Sequence, residues 1–165
     1  IELNVRDENG KTPFTPFMSA CMNGHKDVVK LLLDHANEIE LNARYDDGMT
    51  AFMWACLEGH KDVVKLLLDH SEKIDLNARD NCERTAYMIA CQYGRKDVVK
   101  LFLEHSERID LNARDNFGET AFMIACQYGD KDVVKLLLEY SKVVDIHIPK
   151  SFHMPKEIED LIKKY

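Results

Sequence analysis

Sulfur-bearing side chains recur at a fixed interval along this chain. One cysteine and one methionine return every 35 residues, in the series Cys21, Cys56, Cys91 and Cys126 and the series Met18, Met53, Met88 and Met123. Thiolate and thioether sulfurs bind soft metals, and paired thiols form disulfides. The spacing therefore raises two chemical hypotheses, an array of metal ligands and a redox switch.

Geometry argues against both hypotheses if each interval is one layer of a stack. Neighbouring packed helices lie roughly 8–10 Å apart. A disulfide needs Cα atoms within about 7 Å, and a zinc–thiolate bond is about 2.3 Å long. One cysteine per layer meets neither requirement, so we predict buried packing positions, no bound metal and no cofactor. Cys82 stands outside the series, in a loop sequence, and we expect it to be exposed.

Histidines also recur, but their series change residue type. His35, His70 and His105 share one position that is Tyr140 in the last interval, and His25 and His60 share another that becomes Arg95 and Asp130. A catalytic site does not survive such replacement of its side chains. The chain also has no phosphate-binding loop, nucleophile elbow or HExxH motif, so we predict that it is not an enzyme.

Composition limits the class of partner and the compartment. The chain has 165 residues, 45% of them hydrophobic, and a net charge of −7. A net negative charge disfavours nucleic acid and anionic membranes as partners, because both are bound by clustered Lys and Arg. The five cysteines follow no secreted disulfide framework. We therefore expect a monomer in the cytoplasm or nucleus and not a secreted protein.

Two further motifs repeat in the same register as the sulfur series. KDVVKLL begins at Lys26, Lys61 and Lys131, with KDVVKLF at Lys96, and LNAR begins at Leu41, Leu76 and Leu111. Each unit has a turn-forming loop, a helix-capping Thr, a short apolar helix that ends at a Gly, and a second helix with a broad apolar stripe. One helix pair cannot bury that stripe alone, whereas stacked pairs can.

The segments TPFMSAC, TAFMWAC, TAYMIAC and TAFMIAC, each followed by a Gly and DVVK, resemble the ankyrin repeat. The resemblance covers about residues 1–143 in four copies. It implies an all-α fold, an ankyrin-repeat solenoid of stacked helix pairs with projecting β-hairpin-like loops. We expect a single domain over 1–165, with repeats at 1–38, 39–73, 74–108 and 109–143 and a C-terminal cap at 144–165.

The chain departs from the family pattern at several positions. The unit is 35 residues rather than about 33, and Met stands where the family has the His that bonds to Thr. We therefore expect packing to replace that bond. Glu83 occupies a loop position that is Gly10, Gly48 and Gly118 in the other repeats, which predicts a left-handed backbone at Glu83. Trp54 is predicted to pack between repeats.

The resemblance also implies that loop tips and first helices form a concave surface for a partner protein whose identity the sequence does not give. Carried over by position, the first repeat offers Glu8, Asn9 and Lys11. The remaining candidates, several of them aromatic or apolar at positions expected to face solvent, are Tyr45, Asp46, Met49, Leu57, Glu58, Asn81, Cys82, Arg84, Gln92, Tyr93, Asn116, Phe117, Glu119, Gln127 and Tyr128.

Three functional hypotheses stay open at this level. The favoured one is a protein–protein interaction module. The second is a designed or consensus-derived scaffold without a natural partner. The high identity of the third and fourth repeats is consistent with such a scaffold, and gene duplication explains that identity equally well. The third and most remote is an enzyme, which a measurement of metal content and bound small molecules would test.

Overall fold

The computed structural model describes residues 14–165, and within that range the fold is all-helical, without β-strands. The α-helices are α1 (Pro16–Met22), α2 (Lys26–Asp34), α3 (Ala51–Glu58), α4 (Lys61–Asp69), α5 (Ala86–Gln92), α6 (Lys96–Glu104), α7 (Ala121–Tyr128), α8 (Lys131–Glu139) and α9 (Lys156–Ile162). A short 3-10 helix spans Ala36–Glu38. None of the helices in this range is long and apolar enough to cross a membrane.

The first helix of each pair begins and ends where the sequence predicts. The hydroxyls of Thr15, Thr50, Thr85 and Thr120 accept the backbone N–H three residues on, at 3.1 to 3.4 Å. This bond satisfies one of the donors that a helix start leaves unpaired. The residues at or just after the helix ends, Gly24, Gly59, Gly94 and Gly129, all have positive φ.

Helix pairs stack in register to build one continuous core. Among the first helices, α1 packs on α3, α3 on α5 and α5 on α7, and the second helices pack in the same sequence from α2 to α8. The first helices are buried on nearly all sides, as the covered middle of a stack requires. The all-α solenoid expected from the sequence is therefore confirmed.

The loops turn tightly but form no strand within the described residues. The tips of the second, third and fourth repeats are four-residue turns, closed for example by the N–H of Gly118, which donates to the carbonyl of Asp115 at 3.0 Å. One further hairpin-type bond follows, such as Asp115 N–H to Glu119 carbonyl at 3.1 Å. The expectation of hairpin-like loops is thus met by single closing bonds rather than by a β-ladder.

The LNAR motif joins the second, third and fourth repeats each to the segment that follows. The Asn77 side chain donates to the carbonyl of Arg108 at 3.0 Å and accepts the N–H of Asp110 at 2.8 Å. Asn42 and Asn112 make the same two bonds one repeat earlier and later. The Arg79 side chain reaches the carbonyl of Arg114 at 2.7 Å, so both polar residues of the motif bridge repeats.

The C-terminal segment covers the end of the stack. Helix α9 packs on α8, and Ile158 is buried while Leu161 and Ile162 are partly buried against the core. Lys131 and Glu157 form an ion pair between the two helices. This is the packing expected for a capping helix, although the domain and repeat boundaries given above stay predictions.

Candidate partner-binding groove

A network of polar side chains fixes the loop tip of the third repeat. The Arg84 guanidinium donates to the buried Asp80 carboxylate through Nε at 2.8 Å and Nη2 at 2.7 Å. Its Nη1 donates to the side-chain oxygen of Gln92 at 2.7 Å, and the Gln92 amide donates to the Tyr128 hydroxyl at 2.8 Å. This chain of bonds runs from the third repeat into the fourth.

The pKa of Arg84 reflects the close pairing. Burial alone works to lower the pKa, but the hydrogen bond and the charge of Asp80 outweigh it and raise the pKa above its ordinary value. Arg84 is therefore a fixed, neutralised part of the loop. Arg84 was predicted as a partner-contacting residue, and in the structure its guanidinium is engaged by Asp80 and Gln92 of its own chain.

Beside this network lies a groove of about 280 Å³ between the third and fourth repeats. We call it the inter-repeat groove, and its lining residues are Cys82, Arg84, Gln92, Asp115, Phe117, Glu119, Ile124, Gln127 and Tyr128. Ile124 is buried, whereas Phe117 is 78% exposed and Tyr128 is 59% exposed. The groove thus combines apolar surface with a small number of polar groups, the usual composition of a recognition site.

Two carboxylates of the fourth repeat line the same groove. Asp115 Oδ1 accepts the N–H groups of Phe117 and Glu119, both at 2.9 Å. The pKa of Glu119 is raised by burial and also by the nearby charge of Asp115. Within residues 14–165 neither carboxylate has an ion-pair partner, so this side of the groove carries net negative charge.

The structure brings most of the predicted residues of the third and fourth repeats to one place. Arg84, Gln92, Phe117, Glu119, Gln127, Tyr128 and the loop residue Cys82 all line the inter-repeat groove. Tyr93, Asn81 and Asn116 are exposed outside its lining, and Tyr93 is 47% exposed. Asn81 is tied to the preceding loop, since its side chain donates to the Asp46 carbonyl at 2.9 Å.

Candidates of the second repeat are more scattered, and one prediction was wrong. Met49 is only 3% exposed and belongs to the core, because its loop position turns inward over the start of α3. Leu57 is partly buried against the core, whereas Asp46 and Glu58 are exposed. Tyr45 is exposed but packs edge-on against Phe14, with ring centroids 5.3 Å apart.

Two other predictions concern Trp54 and the first repeat. Trp54 packs edge-on against Phe14 of the preceding repeat, with ring centroids 5.8 Å apart, so it is an inter-repeat packing residue as expected. Its indole nitrogen is buried without a hydrogen-bond partner among residues 14–165. The candidates Glu8, Asn9 and Lys11 lie outside the described residues.

The sulfur series is buried in the stack. Cys21, Cys56, Cys91 and Cys126 are buried free thiols, and Cys82 is an exposed free thiol. Burial raises the pKa of Cys21 and of Cys126 to about 12, which holds these groups in the unreactive thiol form. Across residues 14–165 no three His, Cys, Asp or Glu side chains come together as a metal site would require.

Three of the recurring histidines, His60, His70 and His105, hydrogen-bond to backbone carbonyls. His70 and His105 each contact, through Nδ1, the carbonyl four residues earlier at 2.8 Å, at the ends of α4 and α6. His60 contacts the Met22 carbonyl of the preceding repeat at 2.8 Å, and Arg95 donates to the Leu57 carbonyl at 2.7 Å. Asp130, at the position equivalent to His60 and Arg95, accepts the N–H of Val133 at 2.9 Å, so three residue types at this position each find a backbone partner.

Sequence reasoning missed two groove residues, Asp115 and Ile124. Asp115 is the equivalent of Asp80, and Glu119 is the equivalent of Arg84, one repeat of 35 residues later. A comparison of the two repeats shows that Asp80 and Arg84 are oppositely charged, whereas Asp115 and Glu119 carry the same charge. Ile124 reads as an ordinary core residue, and only the shape of the groove identifies it.

A larger concavity lies elsewhere in the molecule. It has a volume of about 600 Å³ and lies between the 3-10 helix and the LNAR motif of the second repeat, with Ile39 and Leu41 among its lining residues. It contains none of the predicted residues. We therefore assign the candidate site to the smaller inter-repeat groove.

The family assignment follows from comparison of the sequence with known proteins. A family model described as ankyrin repeats in three copies matches residues 1–80 and 72–149. No curated protein matches the chain at a significant level. Because the family model spans most of the chain and the stacked helix pairs agree with it, this chain belongs to the ankyrin-repeat family.

Proposed function

We propose that this protein is an interaction module that binds a partner protein through the concave face of its loop tips and first helices, with the inter-repeat groove as the main contact. Ankyrin repeats are generally protein–protein interaction modules and are typically not enzymatic. The observation that supports this location is the exposure of three aromatic side chains, Phe117, Tyr128 and Tyr93, on the loops and first helices of the third and fourth repeats. Tyrosine and other aromatic residues are enriched among interface residues with large energetic effects.

The remaining features of the proposal concern the setting of this interaction. We propose a monomer that works in a reducing compartment, the cytoplasm or the nucleus, and binds neither nucleic acid nor membrane. The five unpaired thiols and the net charge of −7 support this setting. Sedimentation analysis of the purified chain tests the monomeric state directly.

A double substitution tests the interaction proposal. Tyr93→Ala with Tyr128→Ala removes two exposed rings, and each hot-spot ring contributes about 2 kcal/mol or more to binding. We expect affinity purification with this variant as bait to lose the proteins that the wild type retains. The thermal melting should change little, since exposed side chains usually affect stability by less than about 0.5 kcal/mol.

Two matched variants sharpen the interpretation. Tyr128→Phe removes only the hydroxyl that accepts from Gln92 and should leave most capture intact. Lys65→Ala with Lys135→Ala changes two exposed residues of second helices and should leave capture unchanged. Capture that is unaffected by the tyrosine substitutions, or lost equally in the lysine variant, would move the interface to another face.

A further inference from the structure

The third and fourth repeats carry equivalent hydrogen-bond acceptors, but only the third repeat has an arginine that they bind. In the third repeat the guanidinium of Arg84 is held by Asp80 Oδ2 and by Gln92 Oε1 at 2.7–2.8 Å. The equivalent acceptors in the fourth repeat, 35 residues later, are Asp115 and Gln127. The chain therefore builds the environment of a guanidinium twice.

Only the third repeat supplies the cation for this environment. The position of Arg84 is occupied in the fourth repeat by Glu119, which adds a negative charge instead of neutralising one. Within residues 14–165, Asp115 uses only Oδ1, and Glu119 and the Gln127 side chain make no ion pair or side-chain hydrogen bond. The nearby Arg114 and Arg84 are engaged by Asp145 and Asp80.

The electrostatic environment of Asp115 and Glu119 indicates that, among the described residues, this site lacks a cation. Asp115 and Glu119 are like charges near each other in a partly buried position, and both effects raise the pKa of Glu119. An added cation would favour the ionised form of both carboxylates, because opposite charges stabilise each other most where water is partly excluded. The same two positions already hold such a neutralised pair in the third repeat.

The walls of the groove suit the rest of a basic side chain. The exposed rings of Phe117 and Tyr128 line the same groove as the two carboxylates, together with Ile124. Aromatic faces attract cations, and guanidinium groups stack on them readily. At about 280 Å³ the groove lies just below the usual range of ligand sites, which fits one inserted side chain rather than a whole small molecule.

We propose that the inter-repeat groove receives an arginine side chain of the partner protein, with its guanidinium between Asp115, Glu119 and Gln127 in the manner of Arg84 between Asp80 and Gln92. This inference rests on the proposed function and adds the chemistry of the residue that is recognised. Arginine fits better than lysine because its planar group donates several hydrogen bonds in fixed directions. The partner segment is therefore basic at one fixed position.

The variant Glu119→Arg tests this directly. It recreates in the fourth repeat the residue set of the third, so its own guanidinium should occupy the site and exclude the partner's. The variant should fold, because the equivalent position already carries Arg84 in the same type of loop. We expect an equal or higher melting temperature, measured by circular dichroism, from the new pairing with Asp115.

Random peptides displayed on phage serve as the binding probe, selected on the wild type and on Glu119→Arg in parallel. We expect the wild type to select peptides with an arginine at one shared position. Replacing that arginine by citrulline, which keeps the shape but not the charge, should lower affinity about ten-fold or more. The same peptides should bind Glu119→Arg with a comparable loss.

A control separates the local site from general electrostatics. Glu72→Arg makes the same change in net charge at an exposed position outside the groove and should leave peptide affinity unchanged. Selected peptides that lack a common arginine, or that tolerate citrulline or Glu119→Arg, overturn the inference. If such peptides still depend on Tyr93 and Tyr128, the proposed function stands and only the inference about arginine fails. Peptides that are insensitive to every groove variant, or no selected peptides at all, overturn both.

Discussion

Glu83 shows how one residue can depart from the pattern of its repeat without changing the fold. Its φ is +62°, while the equivalent Gly48 and Gly118 have φ of +81° and +78°. Among residues 14–165 it is the only residue other than glycine in this left-handed region. Arg79 donates to the Glu83 carbonyl at 3.0 Å, which helps to hold the turn. The left-handed backbone expected from the sequence is confirmed.

We predict that Glu83→Gly stabilises the protein. A side chain in the left-handed region costs roughly 1–2 kcal/mol, and part of the gain is offset by the greater freedom of Gly in the unfolded chain. Urea unfolding should therefore show an increase of up to about 1 kcal/mol. The reverse test is Gly118→Ala, since no atom lies within 4 Å of the added Cβ and only backbone conformation is affected. That variant should lose about 1 kcal/mol, and a gain would contradict the explanation.

Individual residues also show which features of the structure could be predicted from the sequence and which could not. Thr caps, terminal glycines and the Glu83 backbone were predictable because each depends on a few neighbouring residues. Met49 was not, because its burial depends on how its loop meets the core. Asp115 and the inter-repeat groove were missed because they depend on the relation between two repeats, which adjacent positions in the sequence do not display.

At the scale of the elements, side chains of the long connecting segments link neighbouring repeats in addition to the packing of the helices. Asn42, Asn77 and Asn112 each bond to two backbone groups of the following segment. This arrangement satisfies donors and acceptors that lie outside any helix. The LNAR motif is therefore a linking device between repeats, a role that its sequence alone did not indicate.

We predict that Asn77→Ala weakens the link between the third and fourth repeats. It removes the bonds to the Arg108 carbonyl and the Asp110 N–H, which should cost roughly 1–2 kcal/mol. Amide hydrogen exchange at Asp110 should become faster than in the wild type. Asn37→Ala, at an exposed position of the 3-10 helix, is the control and should stay within about 0.5 kcal/mol. Equal effects of the two variants would show that the Asn77 bonds contribute nothing.

Helix α9 leads to a prediction about the end of the stack. Removing residues 154–165 takes away the buried Ile158 and exposes the apolar face of α8, so the truncated protein should melt lower and associate. Ile158→Asp should act in the same direction, whereas Asp160→Ala, at an exposed position of α9, should not. Melting and light scattering measure both effects. A truncated protein that melts and scatters like the wild type would rule out a capping role.

At the scale of the whole molecule, equivalent residues differ by their place in the stack. Val28 of α2 is 46% exposed, whereas Val98 of α6 is fully buried between its neighbours. The two positions carry the same residue type in the same sequence, DVVK. Position along the solenoid therefore decides how much each contact stabilises the fold, as expected where each repeat touches only its neighbours.

We predict that this difference appears in stability. Val98→Ala should lower the free energy of unfolding by roughly 2 kcal/mol, because it removes buried apolar groups from a closely packed layer. Val28→Ala should lower it by less than about 0.5 kcal/mol. Parallel urea titrations of the two variants provide the measurement. Similar losses would show that α2 is covered in solution to the same degree as α6.

The buried cysteines make each layer of the stack separately observable. Every layer carries one buried thiol, and burial raises the pKa of these buried groups above the ordinary value, Cys21 and Cys126 to about 12. Near neutral pH they are therefore neutral thiols that react only when their layer opens. At higher pH the unfolded thiols ionise first, so the free energy of unfolding should fall as the pH rises above about 9.

We predict a fixed order of thiol labelling in the folded protein. The exposed Cys82 should react at once, and Cys82→Ser should remove that fast phase. Cys21 should follow, because its layer has a described neighbour on one side only and its second helix leaves Val28 and Leu31 exposed. Cys126 should react more slowly, because α9 covers its layer, and Cys56 and Cys91 should be slowest, since their layers have repeats on both sides. Mass spectrometry of quenched, digested samples resolves the five sites. Equal rates for the four buried thiols would show that the stack opens only as a single cooperative unit.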